Sequence, residues 1–195
     1  MAVDNAHITS DSLQLLESLG QPLEPVAEPF IVAVSGLPGT GKSYVSQRLR
    51  EKLPAMVLES DALRKILYPR PTYSNGESAH LFAAIHMMID RLLGKGIPVI
   101  LDATNLTEHN REYIYNIAER RGARLILVKV IAPQEVVKER LTARSKETGV
   151  KSDADWAVYQ KLKPTENNIS RKHYVVDTSE DISPVIDKIV RAVLR

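Results

Sequence analysis

Gly36-Leu37-Pro38-Gly39-Thr40-Gly41-Lys42-Ser43 fits the pattern G-x-x-x-x-G-K-[ST] without a gap. It follows an apolar run of strand length, Phe30-Ile31-Val32-Ala33-Val34-Ser35, and leads into a helix start, Tyr44-Val45-Ser46-Gln47. A strand passing through such a loop into a helix is what gives this pattern its meaning as a phosphate site. Glycines let successive backbone N–H groups converge on one anion, and the positive end of the helix adds to them. The expected nucleotide site is therefore Gly36, Leu37, Pro38, Gly39, Thr40, Gly41, Lys42, Ser43 and Tyr44. Within it Lys42 reaches the β- and γ-phosphates, and the Ser43 hydroxyl ligates Mg²⁺.

From Phe30 onward, strand and helix patterns alternate. Strands are expected at Phe30–Ser35, Ala55–Glu59, Ile97–Leu101, Arg124–Ile131 and Tyr174–Val176. The intervening segments read as helices. Leu81, Ile85, Met88 and Leu92 mark the buried stripe of a long helix closed by Gly94, and Pro133 opens a helix running to Arg144. Near-continuous apolar strands separated by helices predict a parallel sheet covered on both faces. The expected class is α/β, a three-layer P-loop NTPase fold with five parallel strands and a small helical lid.

The net charge of +2 is unevenly placed. Residues 1–29 carry Asp4, Asp11, Glu17, Glu24 and Glu28 but no Lys or Arg, so residues 30–195 are distinctly basic. That balance suits an anionic ligand. Residues 1–29 read as an appended tail, either disordered or loosely docked or a functional arm, with one short helix over Ile8–Leu19 for which Ser10 or Asp11 is a candidate cap. A proline-rich linker, Gln21 to Pro29, follows; residues 30–195 read as the main domain. The chain has no cysteine, no basic n-region and no run of transmembrane length, which fits a cytoplasmic protein with no membrane partner. The five histidines form no zinc pattern, and no G-x-S-x-G elbow is present.

Ligands of open α/β sheets sit beyond the C-terminal ends of the strands. Asp102 closes the apolar run Ile97–Leu101, where an acidic group stands near Mg²⁺ in phosphate-loop enzymes. Asp61 and Arg64 follow the second strand one helical turn apart. There Asp61 could accept a hydroxyl proton and Arg64 could hold an anionic acceptor group; the alternative is a helix cap and a surface ion pair. Arg140 and Arg144 share a helix face at the root of a polar segment, 145–152. They read as lid arginines over transferring phosphates, or as a solvated helix face. Trp156 and Tyr159 read as core packing rather than an adenine wall.

On these residues the chain resembles the P-loop kinase family that includes polynucleotide 5′-kinases, zeta-toxin-like kinases and small-molecule phosphotransferases. The resemblance spans about residues 30–195. It rests on Gly36–Ser43, Ser60-Asp61-Ala62-Leu63-Arg64, Leu101-Asp102-Ala103-Thr104-Asn105 and Arg140-Leu141-Thr142-Ala143-Arg144. It implies transfer of the γ-phosphoryl group of ATP to an acceptor hydroxyl, on a small molecule or a nucleic-acid 5′ end. Lys42, Asp61, Arg64, Arg140 and Arg144 would be the catalytic set, and Ser43 with Asp102 the Mg²⁺ ligands, with Asn105 on the acceptor side. Adenylate-kinase-like enzymes share the Asp-x-x-Arg, but usually carry a Gly-Phe-Pro-Arg type segment where this chain has Asp102-Ala103-Thr104-Asn105. A nucleotide switch that hydrolyses ATP without an acceptor is the alternative of a different kind.

Overall fold

The computed structural model describes residues 5–21, 23–144 and 155–195. Five strands, β1 (Phe30–Ser35), β2 (Met56–Glu59), β3 (Val99–Asp102), β4 (Arg124–Ile131) and β5 (Tyr174–Asp177), form one parallel sheet in the order β2-β3-β1-β4-β5. The expected α/β architecture with five parallel strands is the observed one. β3 begins two residues later than its apolar run because Pro98 has no N–H for the ladder; its carbonyl instead accepts from Met56 N at 2.9 Å. Asp102 is consequently the last residue of the strand, in register with Val34 of β1 and Glu59 of β2.

Eight α-helices surround the sheet among the described residues: α1 (Asn5–Ser18), α2 (Lys42–Arg50), α3 (Ser60–Leu67), α4 (Asn75–Gly94), α5 (Glu108–Arg120), α6 (Gln134–Arg144), α7 (Trp156–Leu162) and α8 (Ser183–Val193). Alternation along β1 sorts its side chains between two cores. Ile31 and Ala33 join the layer built with α1, α3, α4 and α5, whereas Val32 and Val34 join the layer of α2 and α8. Successive crossovers leave β1 in opposite directions, toward β2 on one side and eventually β4 on the other. The crevice thus opens above the carboxyl end of β1, where the glycine-rich loop begins.

The N-terminal helix differs from the loosely docked segment its sequence allowed. α1 packs on α3 and α4, with Ile8 and Leu15 buried in the same core as Leu81, Ile85 and Leu92. Its buried Ser12 accepts a hydrogen bond from Arg91 Nη1 at 2.9 Å, and Asp11 Oδ2 lies 2.6 Å from His80 Nε2. Ser10 and Asp11 lie inside the helix instead of capping it, since the helix already starts at Asn5. Beyond it, Val26 N donates to Gly96 O at 2.8 Å; Gly96 has φ 75°, and a Cβ there would press on the Val26 carbonyl.

Candidate active site

The glycine-rich loop is fixed from below before any ligand is considered. Gly36 has φ 156°, and a side chain at this position would run into the Val130 carbonyl of β4. Gly39, at φ 79°, has Val137 and Leu141 of α6 where a Cβ would sit. A small apolar cluster of Leu37, Leu106, Val137, Leu141 and Tyr159 therefore supports the loop directly. Trp156 stacks on Tyr159 with ring centroids 4.8 Å apart and packs against this cluster, as expected for core. Lys42 Nζ donates to Leu37 O at 3.1 Å, and Thr40 Oγ1 donates to the same carbonyl at 2.8 Å.

Burial pushes the Lys42 ammonium below the usual lysine range, while Asp102 and then Asp61 pull it back and Arg144 adds to the lowering. The same burial raises the Asp102 carboxyl. Lys42 and a hydrogen bond from the Ser43 hydroxyl counter it, and the nearby Glu59 and Asp61 reinforce it. Lys42, Ser43, Asp61 and Asp102 thus belong to one electrostatic cluster at the carboxyl ends of β1, β2 and β3. Asp102 Oδ2 is buried without a hydrogen-bond partner. A buried carboxylate oxygen beside a serine hydroxyl, with two more carboxylates close by, is a hard-oxygen environment that suits Mg²⁺. The residues present fit that ion.

The segment after β3 is fastened to the loop. Ser35 Oγ lies 3.0 Å from both Thr104 O and Asn105 O, and Gly36 N donates to Thr104 O at 3.1 Å. Asn105 takes a left-handed backbone, φ 44°, and its Nδ2 is buried without a partner. Arg111, 2 % exposed, donates Nη1 to Asn105 O at 2.8 Å and Leu106 O at 3.0 Å, Nη2 to Asn168 O at 2.9 Å, and Nε to Glu108 Oε2 at 2.9 Å. Arg111 was not anticipated. Its signal was an arginine in line with Ile114, Tyr115 and Ala118, a charged group inside a buried helical stripe.

Two of the expected arginines are bonded to protein groups. Arg64 is buried, not part of a surface pair: Nη1 bonds Glu77, Nη2 donates to Ser78 Oγ at 3.3 Å, and Tyr73 covers its face with the ring centroid 4.8 Å from Cζ. Glu59, not Asp61, occupies the N-cap position of α3, with no side-chain capping bond; Asp61 lies in the first turn. Arg140 donates Nη1 to Thr178 Oγ1 at 2.7 Å and Nη2 to Thr178 O at 2.9 Å, and Thr178 Oγ1 donates to Thr40 O at 2.7 Å. Arg140 thereby braces the loop through the turn after β5. Arg144 acts electrostatically on Lys42 from the end of α6. Ser43 and Tyr44 are exposed, Tyr44 by 55 %. The expected lid segment 145–152 lies outside the described residues.

A family model described as an AAA domain matches residues 31–165. The chain belongs to this AAA-domain family. No curated protein matches the sequence. Among solved structures, Kti12 of Chaetomium thermophilum in complex with ADP-AlF3 is 21% identical with a TM-score of 0.65, over 84% of this chain and 98% of that one. The APS kinase of Mycobacterium tuberculosis with AMPPNP and APS is 16% identical, TM-score 0.65, over 88% and 100% of the two chains. A gluconokinase from Sinorhizobium meliloti is 20% identical, TM-score 0.60, over 86% and 93%. Likeness at these identities is one of fold, and it is the P-loop kinase fold that the sequence resemblance implied.

Proposed function

We propose that this AAA-family chain is an ATP- and Mg²⁺-dependent kinase that transfers a γ-phosphoryl group to an acceptor hydroxyl. The observation that carries the reading is that two carboxylates of different origin act electrostatically on Lys42, Asp102 at the end of β3 and Asp61 at the start of α3. One belongs to the nucleotide side of the crevice. The other comes from the element that follows an outer strand, where an acceptor would enter. A carboxylate there can take the proton of an acceptor hydroxyl.

In this reading the backbone N–H groups of Gly36–Ser43 and the Lys42 ammonium hold the β- and γ-phosphates. Ser43 and Asp102 would hold Mg²⁺, which supplies charge neutralisation at the phosphate oxygens. Asp61 takes the proton of the acceptor hydroxyl as its oxygen bonds to the γ-phosphorus. The bond from that phosphorus to the β–γ bridging oxygen breaks, and ADP leaves with the electron pair. Arg144, which acts electrostatically on Lys42 from the end of α6, offsets charge on the transferring group. Arg140 keeps the loop in shape.

Among the described residues no helix is long and apolar enough to cross a membrane. Together with the absence of cysteine this supports a cytoplasmic enzyme. The test is incubation with γ-labelled ATP and Mg²⁺ against a panel of sugars, nucleosides, amino alcohols and oligonucleotide 5′-hydroxyls. Transfer of label to one class, lost in Asp61→Asn, is the expected result. ATP hydrolysis with no labelled acceptor, unaffected by Asp61→Asn, would instead favour the switch.

A further inference from the structure

Arg64 lies one turn after Asp61 on α3, in the position from which it would meet whatever brings the acceptor hydroxyl. Both of its terminal nitrogens are engaged by protein groups. Nη1 is paired with Glu77, Nη2 with Ser78 Oγ, and the flat face is under Tyr73. Arg64 and Glu77 side chains are each 7% exposed, so this is a dry pair in which one charge cancels the other. Glu77 is firmly ionised. Hydrogen bonds from Thr72 N at 2.6 Å and Thr72 Oγ1 at 2.8 Å, together with Arg64, hold its carboxyl down to about 2. A phosphate or carboxylate on the acceptor would need two parallel N–H donors on a guanidinium with charge to spare. Glu77 already cancels the charge of Arg64, so the guanidinium has none to spare. Its Nε is buried and without a partner, a donor suited to a neutral oxygen.

Tyr73 is the second element. It adopts φ 54°, a left-handed backbone that a bulky side chain seldom takes, and Tyr73 N donates to Glu77 Oε1 at 3.3 Å. That conformation lays one side of the ring on the Arg64 guanidinium, while 43 % of the residue is exposed. Asn105 Nδ2, a neutral donor after β3, is likewise buried and unpartnered. Building on the kinase reading, we propose that the acceptor is an uncharged ring bearing several hydroxyls, a sugar, cyclitol or nucleoside. Tyr73 packs on its face, and Arg64 Nε and Asn105 Nδ2 donate to its oxygens. The Arg64–Glu77 pair selects against phosphorylated or carboxylated counterparts. Its hydroxyl bonds to the γ-phosphorus, its proton passes to Asp61, and ADP departs.

The experiment pairs each neutral acceptor with its anionic counterpart under γ-labelled ATP and Mg²⁺: glucose with gluconate and glucose 6-phosphate, inositol with inositol phosphate, adenosine with its 5′-monophosphate. The neutral member is expected to show kcat/KM at least tenfold higher. Tyr73→Ala should raise the acceptor KM about tenfold with little change in kcat or in ATP affinity, and Tyr73→Phe should restore it, because the ring face is kept. Glu77→Gln, which frees the guanidinium charge, should narrow the neutral preference. Preference for an anionic member, or an unchanged acceptor KM in Tyr73→Ala, overturns the inference and leaves the kinase standing. Binding of ATP without transfer to any member overturns the kinase reading, and this inference with it.

Discussion

Arg140 and Thr178 clamp the phosphate loop from behind. The guanidinium spans the hydroxyl and carbonyl of Thr178 at 2.7 and 2.9 Å, and the same hydroxyl donates to Thr40 O at 2.7 Å inside the loop. The two residues are distant in sequence, yet both stand at the carboxyl end of the sheet, Thr178 just after β5 and Arg140 on the helix following β4. A charged group thus shapes the nucleotide site through the backbone that binds it.

Arg140→Lys should act through this clamp. An ammonium cannot hold the hydroxyl and carbonyl with two donors in a fixed plane. Hydrogen bonds to charged groups contribute about 1.5–3 kcal/mol each, and partial loss of one corresponds to roughly tenfold in affinity. The expected defect is weaker ATP binding by calorimetric titration, with Thr178→Val showing a similar one. In the double variant the losses should be less than additive, since both remove one interaction. Normal ATP affinity in Arg140→Lys, with a defect confined to kcat, would assign Arg140 to the transferring phosphate.

Asp61→Asn should separate chemistry from binding. The amide keeps the shape of the carboxylate but cannot take a hydroxyl proton, a loss that typically costs about 10²–10⁴-fold in rate. Removing a negative charge near Lys42 leaves Asp102 as its partner, so ATP affinity should change little. Single-turnover transfer with the identified acceptor measures the first, and titration with ATP and Mg²⁺ the second. Transfer at the wild-type rate would remove Asp61 from the general-base role.

The buried face of α1 should matter to the whole fold. Leu15 is fully buried among residues of α4, and truncation of such a leucine usually costs about 2–5 kcal/mol. Leu15→Ala should lower the urea midpoint accordingly, whereas the exposed Leu13→Ala should shift it little. Equal, negligible effects from both would show that residues 5–18 contribute no stability to the domain.

Much of this architecture was legible because it is local. The phosphate loop, the strands and the stripe of α4 each follow from residues near in sequence. Ser74 accepts from Glu77 N at 3.2 Å, an S-x-x-E cap of the kind a sequence announces. What the sequence hid was partner choice over distance. Arg64 and Arg140 read as charged groups near the crevice, but nothing local says that one is paired with Glu77 and the other with Thr178. Arg111 stands in a buried helical stripe, but nothing local announces the two loops that converge on it. The docking of α1 was obscured for a related reason: its stripe is short, and one buried position is Ser12, whose partner Arg91 lies on another helix. Thr178 also had a signal, a polar residue directly after β5.

Stability should also carry a pH signature from His86. Burial holds its imidazole down to about 4, against 6.5 for an ordinary histidine, and its Nε2 is buried without a partner. The ring stacks on Tyr113 at 5.1 Å and lies near Phe82. Above pH 6.5 the ring is neutral in both folded and unfolded chains, and its contribution is fully present. Between 6.5 and 4 the unfolded chain takes up a proton that the folded chain refuses, so stability is lost as pH falls; below 4 both are protonated and the loss stops growing. At pH 5 this amounts to about 2 kcal/mol. His86→Phe keeps the stacking surface and has no proton to gain. Urea unfolding of the two proteins at pH 7.5 and pH 5 should therefore show wild type losing roughly 2 kcal/mol more than the variant over that interval. Parallel losses in the two proteins would mean that His86 titrates normally in the folded state.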